Sequence, residues 1–218
     1  MPFRDRIEAG RALAKALIKY KGQPAAIYAL PRGGVQVAAE IAAALNAPLD
    51  LLLVRKIGAP MQPELAMGAV VDGGAPIIVR NSNVIRLTHT TEAEFDAICK
   101  SELVEIERRR KAYVQNRPPL DPAGKIAIVV DDGIATGATM YAALRAIRMR
   151  HPKKLVLAVP VAARDSIDSL QAEVDEVVCL EMPEDFGALG YYYRDFHQLS
   201  DQDVIDTLNR FPVAPVAG

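Results

Sequence analysis

The sequence predicts an α/β fold, a central parallel sheet flanked by helices on both faces. Three observations predict it. Short apolar runs alternate with segments of helical periodicity. Each run is apolar at every position rather than at every second one, the pattern of a strand buried on both faces. The 218 residues, 50% of them hydrophobic, can build one core without disulfides or a structural metal. Residues 1–218 read as a single domain, with no internal repeat and no long linker.

The elements follow in order. Phe3 to Tyr20 has apolar residues at Ile7, Leu13, Ala14, Leu17 and Ile18, a helical spacing. Ala25 to Leu30 is a doubly buried strand, broken by Pro31-Arg32-Gly33-Gly34, and the alanine-rich Val35 to Leu45 is a helix. Leu51 to Val54 is a second strand ending at Arg55-Lys56. Gly58 to Pro63, punctuated by glycine and proline, reads as a loop. Ala69 to Val71 and Ile77 to Val79 form an antiparallel hairpin around Asp72-Gly73-Gly74. Thr91 to about Gln115 is a long amphipathic helix with Phe95, Cys99, Leu103 and Ile106 on one side. Its pairs Glu105/Arg109 and Glu107/Lys111 support the other side, and Arg108 to Lys111 reads as a solvated face. Strand, helix, strand, helix and strand then follow at 126–130, 137–150, 155–161, 165–172 and 177–180. A helix from about Asp201 to Asn209 closes the pattern.

Charge and cysteine content narrow the function. With 26 basic and 27 acidic residues the net charge is −1, which gives no bulk reason to expect nucleic acid as a partner. Cys99 and Cys179 form no CxxC pair and cluster with none of the three histidines, so both read as buried free thiols. The first residues lack the apolar stretch of a signal peptide, and no run approaches 18 apolar residues. A cytoplasmic protein without membrane contact is expected.

In open parallel sheets ligands bind beyond the carboxyl ends of the strands. Those places are Pro31–Gly34, Arg55-Lys56 and the stretch after Val130. The last is the most informative: Ile128-Val129-Val130-Asp131-Asp132-Gly133-Ile134-Ala135-Thr136-Gly137-Ala138-Thr139. Two adjacent carboxylates end a strand, and a loop of small residues runs straight into a helix. Small side chains let backbone N–H groups approach an anion, and the helix N-terminus adds partial positive charge. Thr136 and Thr139 add hydroxyls. The carboxylates suit a vicinal diol and a nearby Mg2+. A ligand carrying a sugar diol and a phosphate, such as ribose 5-phosphate, meets both demands. A plain turn with Thr136 capping the helix explains the carboxylates but not twelve residues of pattern. No Lys precedes Thr139, so the loop is not a Walker A motif.

This stretch resembles the phosphoribosyl pyrophosphate (PRPP) signature of the type I phosphoribosyltransferases. The resemblance implies that Asp131 and Asp132 hold the ribose hydroxyls, directly or through Mg2+. It also implies that Ala135, Thr136, Gly137, Ala138 and Thr139 wrap the 5′-phosphate. Leu30-Pro31-Arg32-Gly33-Gly34 resembles the family's pyrophosphate loop, where a strained, often cis, non-proline peptide occurs; the bond entering Arg32 is the candidate. Arg55-Lys56 with Gly58 to Gly68 resembles its flexible catalytic loop. Arg32, Gly33, Arg55 and Lys56 would then meet pyrophosphate, with Arg32, Lys56, Asp131 and Asp132 as the catalytic set.

The wording Val-Arg-Lys-Ile-Gly-Ala-Pro and Pro-Glu-Leu-Ala-Met-Gly-Ala is similar to a bacterial branch of the family that has no assigned acceptor. The resemblance implies a Mg2+-dependent transfer of phosphoribose from PRPP to a small nitrogenous acceptor, a nucleobase among the options, within nucleotide metabolism and in a homo-oligomer. Ala135 stands where 6-oxopurine enzymes carry an Asp, which disfavours hypoxanthine or guanine. The segments 75–121 and 181–218 are the candidate hood over the acceptor, with Tyr191, Tyr192, Tyr193 and Phe196 available to stack a base or to pack the tail. The rival expectation is a PRPP-binding sensor without turnover.

Overall fold

The computed structural model describes residues 2–72, 76–114 and 117–211. Helix α1 (Arg6–Ala16) begins where the Asp5 carboxylate accepts the Glu8 N–H at 2.7 Å. Strand β1 (Ala25–Ala29) leads into α2 (Gly33–Leu45), which Asn46 closes in the left-handed region at φ 52°. Strand β2 (Leu49–Leu51) follows, then three strands of a separate sheet, β3 (Val54–Ala59), β4 (Gln62–Val71) and β5 (Ile77–Arg80). Helices α3 (Ser82–Leu87) and α4 (Glu92–Tyr113) come next; Thr91 and Glu94 form a capping box at the start of α4. The chain then alternates through β6 (Ile126–Val130), α5 (Ala138–Arg148), β7 (Lys154–Val161), α6 (Arg164–Leu170) and β8 (Glu176–Glu181), and ends in α7 (Asp201–Asn209).

The main sheet is all parallel, in the order β2-β1-β6-β7-β8. Its strands are buried on both sides because alternate residues serve two cores. Ile27, Ala29, Ile128 and Val130 join Leu13, Leu17 and Ile41 on one face. Ala26, Tyr28, Ala127 and Val129 join Leu144, Ile147 and Leu170 on the other. From β1 the chain moves outward to β2, and later returns to the opposite side of β1 as β6. The strand ends at Leu30 and Asp131 therefore lie side by side at the point where the strand order reverses, the place where such sheets bind ligands.

Several expectations need correction. Arg55 and Lys56 do not end a strand of the main sheet; β2 stops at Leu51, and both residues lie inside β3. The stretch from Gly58 to Pro63 is not an open loop. It is the end of a β-hairpin in which Gly58 opposes Ala66 and Ala59 opposes Gln62, with register shifts at Gly58. The glycine admits that irregularity, since a Cβ there would collide with the Pro63 backbone. Helix α3 also went unforeseen, because its six residues carry too little periodicity to show.

The pairing of Ala69–Val71 with Ile77–Val79 is as expected; most of the turn between them, and Gln115, the expected end of the long helix, lie outside the described residues, and α4 closes at Tyr113. Arg110 is half-buried rather than on the solvated face, and it reaches Asp72 at 2.7 Å. No helix among the described residues is long and apolar enough to cross a membrane.

Candidate functional site

Parallel pairing of Ala29 with Val130 brings the first two motifs together. The Leu30 N–H donates to Val130 O at 2.9 Å, and the Gly34 N–H donates back to Leu30 O at 3.1 Å. The Pro31–Arg32 peptide is cis, at the bond singled out from sequence. Gly33 presses on the second carboxylate: a Cβ there would overlap the Asp132 side chain, reaching Oδ1 at 2.9 Å. Only glycine permits that approach. Arg32 is partly exposed, with Asp201 of α7 at 3.7 Å as its ion-pair partner.

The two carboxylates are held differently. Asp132 is buried and accepts from Arg6 Nε at 2.7 Å through Oδ2. The Tyr193 hydroxyl donates to Asp132 O at 2.6 Å. Asp131 uses Oδ1 to accept the Asp132 N–H at 2.8 Å. Desolvation, and then the negative charge of Asp132, push the Asp131 carboxyl well above the usual carboxylate range; Arg6 partly offsets this.

The loop of small residues after Asp132 is anchored at its start and open at its end. Ile134 N–H donates to Val161 O and its carbonyl accepts from Ala163 N–H, both at 3.0 Å. Ser166 Oγ donates to Ala135 O at 2.6 Å. Gly137 then takes φ +74° and caps α5 with no side-chain hydrogen bond. No side chain caps the first turn of α5, and Thr136 and Thr139 are exposed beside it.

A small cleft lined by Pro31, Leu53, Arg55, Arg109 and Thr139 joins the first strand, the second sheet and the phosphate loop. Arg55 is in it, ion-paired with Glu102 at 2.6 Å. Lys56 is not. Successive strand residues face opposite sides, and Lys56 pairs with Glu64 across the hairpin at 2.9 Å. A larger cavity of about 490 Å³ adjoins the loop at Thr136, Gly137 and Ala138, between Arg80–Asn83 and α6, but neither Asp131, Asp132 nor Arg32 lines it.

Sequence reading missed Arg6, Arg109 and the anchoring role of Tyr193. No spacing signal links residue 6 to residue 132; only the folded contact reveals it. Of the tail aromatics, Tyr193 is spent on Asp132, Phe196 lies under the Arg6 guanidinium at 4.0 Å, and Tyr192 stacks on Phe186. Tyr191 alone of these four is largely exposed, at 77%.

Residues 4–196 match the family model described as phosphoribosyl transferase domain. The chain belongs to that family. Two Mycobacterium tuberculosis proteins, from strains CDC 1551 and H37Rv and provisionally named phosphoribosyl transferases, are each 45% identical over 95% of the chain. The chain spans about half the length of these relatives, 46%. The solved structure of TT1426 from Thermus thermophilus is 40% identical and covers 98% of this chain and 100% of its own, with a TM-score of 0.86. The fold is thus shared with TT1426 over nearly the whole chain.

Proposed function

We propose that this phosphoribosyl transferase domain moves the 5-phosphoribosyl group from PRPP to a nitrogen of a small acceptor and releases pyrophosphate. One observation carries the reading beyond family membership. The Pro31–Gly34 turn, the carboxylate pair and the uncapped start of α5 converge at the strand-order reversal, because β1 and β6 are adjacent strands. In this reading the α5 N-terminus with Ala135–Thr139 takes the 5′-phosphate. Asp131 and Asp132 accept the ribose hydroxyls. Arg32, Gly33 and Arg55 meet the pyrophosphate, and Lys56 joins them when the β3–β4 hairpin moves and releases Glu64.

The transition state carries positive character at C1 while negative charge grows on the leaving pyrophosphate. The protein's task is to hold the reacting atoms in line and to offset that charge. Arg32 and Arg55 do the second. The hairpin and the described parts of the expected hood, 76–114, 117–121 and 181–211, exclude water from C1 and bound the acceptor. Ala135 contributes no proton acceptor to the base.

The donor set fits Mg2+ brought by the substrate. Asp132 commits Oδ2 to Arg6 and Asp131 commits Oδ1 to a backbone N–H, so the remaining oxygens are what the pair offers. Among the described residues no cluster of three His, Cys, Asp or Glu forms a cage. Mg2+ commonly takes one or two carboxylates with substrate oxygens and water. When bound, it would neutralise charge on the leaving pyrophosphate.

A second reading, a PRPP-binding sensor, is favoured by one observation: Arg55 and Lys56 are both already ion-paired within the protein. Calorimetric titration of Mg2+-PRPP, followed by a pyrophosphate-release screen over nitrogen bases, separates the two. Binding with release supports transfer; binding without release from any base supports the sensor. No binding removes both.

A further inference from the structure

We propose that Arg6 is a positioning residue for the ribose-binding carboxylates. It clamps one oxygen of Asp132 so that Asp131 and the other oxygen of Asp132 are left to face the sugar. The inference rests on the ribose-binding role proposed above for that pair.

Arg6 is the first residue of α1, 126 positions from Asp132 in sequence. Its side chain is only 6% exposed, and that of Asp132 only 11%. Three contacts and its place in the helix fix it. Nε donates to Asp132 Oδ2, Nη1 donates to His197 O at 3.0 Å, the guanidinium lies over Phe196, and its backbone begins α1. The planar fork directs separate N–H groups at the carboxylate and the tail carbonyl in fixed directions, a geometry that the compact ammonium group of a lysine does not pre-set.

Neither partner is there for the stability of its own element. A cation in the first turn of a helix opposes the helix dipole. A buried ion pair contributes little that apolar residues of equal volume would not. The arrangement instead concentrates on Asp132. Arg6 holds its side chain, Tyr193 holds its carbonyl, and Gly33 closes the third side. A carboxylate that merely closed a turn would need none of these. Arg6 also offsets the negative charge of Asp132 where a phosphorylated sugar would approach.

The test uses three probes in calorimetry: ribose 5-phosphate, 2-deoxyribose 5-phosphate and pyrophosphate. Wild type should bind all three and prefer ribose over deoxyribose. Arg6→Met should weaken ribose 5-phosphate about tenfold or more, as expected for loss of a charged hydrogen-bond partner. It should leave pyrophosphate within about twofold and bring the ribose preference towards unity. Arg6→Lys keeps the charge and should shift the same quantities in the same direction by less; it decides the matter if Arg6→Met does not fold. Wild-type affinities in the variants overturn the proposal, as does a parallel loss of ribose 5-phosphate and pyrophosphate. A wild type that binds pyrophosphate yet does not distinguish ribose from deoxyribose instead removes the ribose-binding reading of Asp131 and Asp132, before any variant is made.

Discussion

Replacing Gly33 by Ala adds one methyl group at the most crowded point of the site. The new carbon would overlap the Asp132 carboxylate, 2.9 Å from Oδ1 and nearer still to Cγ and Oδ2. Ordinary carbon contacts need about 3.5 Å, so the carboxylate must retreat by about an ångström or more. A free aspartate would rotate aside at little cost. This one is pinned by Arg6 at 2.7 Å, with both side chains buried, and its backbone is held by Tyr193. Retreat therefore stretches the ion pair beyond hydrogen-bonding range. Breaking a buried pair outright costs about 3–5 kcal/mol; with partial relaxation we expect about 2–3 kcal/mol. At about 2–4 °C per kcal/mol for a domain of this size, the melting temperature should fall by about 4–12 °C. Urea unfolding gives the energy and calorimetry with Mg2+-PRPP gives the binding, which should fall at least about tenfold. Gly33→Ala protein with unchanged stability and unchanged PRPP affinity would refute the packing argument.

Asp131→Asn should separate stability from binding. Its carboxyl is raised by desolvation and by Asp132, so its contribution to stability is full below the ordinary carboxylate value and lost as pH rises through the folded value. The variant should then be more stable than wild type at pH 7–8, on the order of 1 kcal/mol, with the gain vanishing towards pH 3, while PRPP binding is lost; urea titrations across pH check this. Arg32→Ala should leave stability within about 0.5 kcal/mol, because the side chain is partly exposed and its Asp201 contact is loose. The same variant should weaken pyrophosphate binding about tenfold, measured calorimetrically. Tyr193→Phe removes a buried hydroxyl from Asp132 O and should cost about 1–3 kcal/mol in urea unfolding. Its loss in affinity should fall on ribose 5-phosphate more than on pyrophosphate.

The main sheet was legible because its signals are local. Ala25–Ala29, Ile126–Val130 and Lys154–Val161 are apolar at nearly every position, and burial on both faces imposes that. The loop from Asp131 to Thr139 was legible because its small residues and uncapped helix start follow one another in the chain. The second sheet was harder. Glycine and proline at 58–63 signal a turn, yet cross-strand pairing with β4 carries β3 on to Ala59, and no local pattern announces a partner that comes later. Lys56 was placed with Arg55 because they are neighbours in sequence; strand alternation separates them, which only the strand assignment reveals. Arg6 left no trace, since a contact across 126 residues has no periodicity to read.

The pairing of β1 with β6 has a consequence for how the site comes into being. Partners such as Ala25 and Ile126 lie on the order of 100 residues apart. Closing a loop of that length costs about 4 kcal/mol in chain entropy before the contacts it brings together repay it. The Pro31–Gly34 turn belongs to one side of this closure, and the carboxylates with the loop after them to the other. In the proposed function each segment supplies only part of the site, so binding requires the long-range pairing that defines the topology. A fragment stopping before β6 would keep Arg32 and Gly33 and is expected to show no PRPP binding in calorimetry. By mass action, ligand added to the intact chain would oppose the reopening of that same closure, protecting amides of β1 and β6 from hydrogen exchange together.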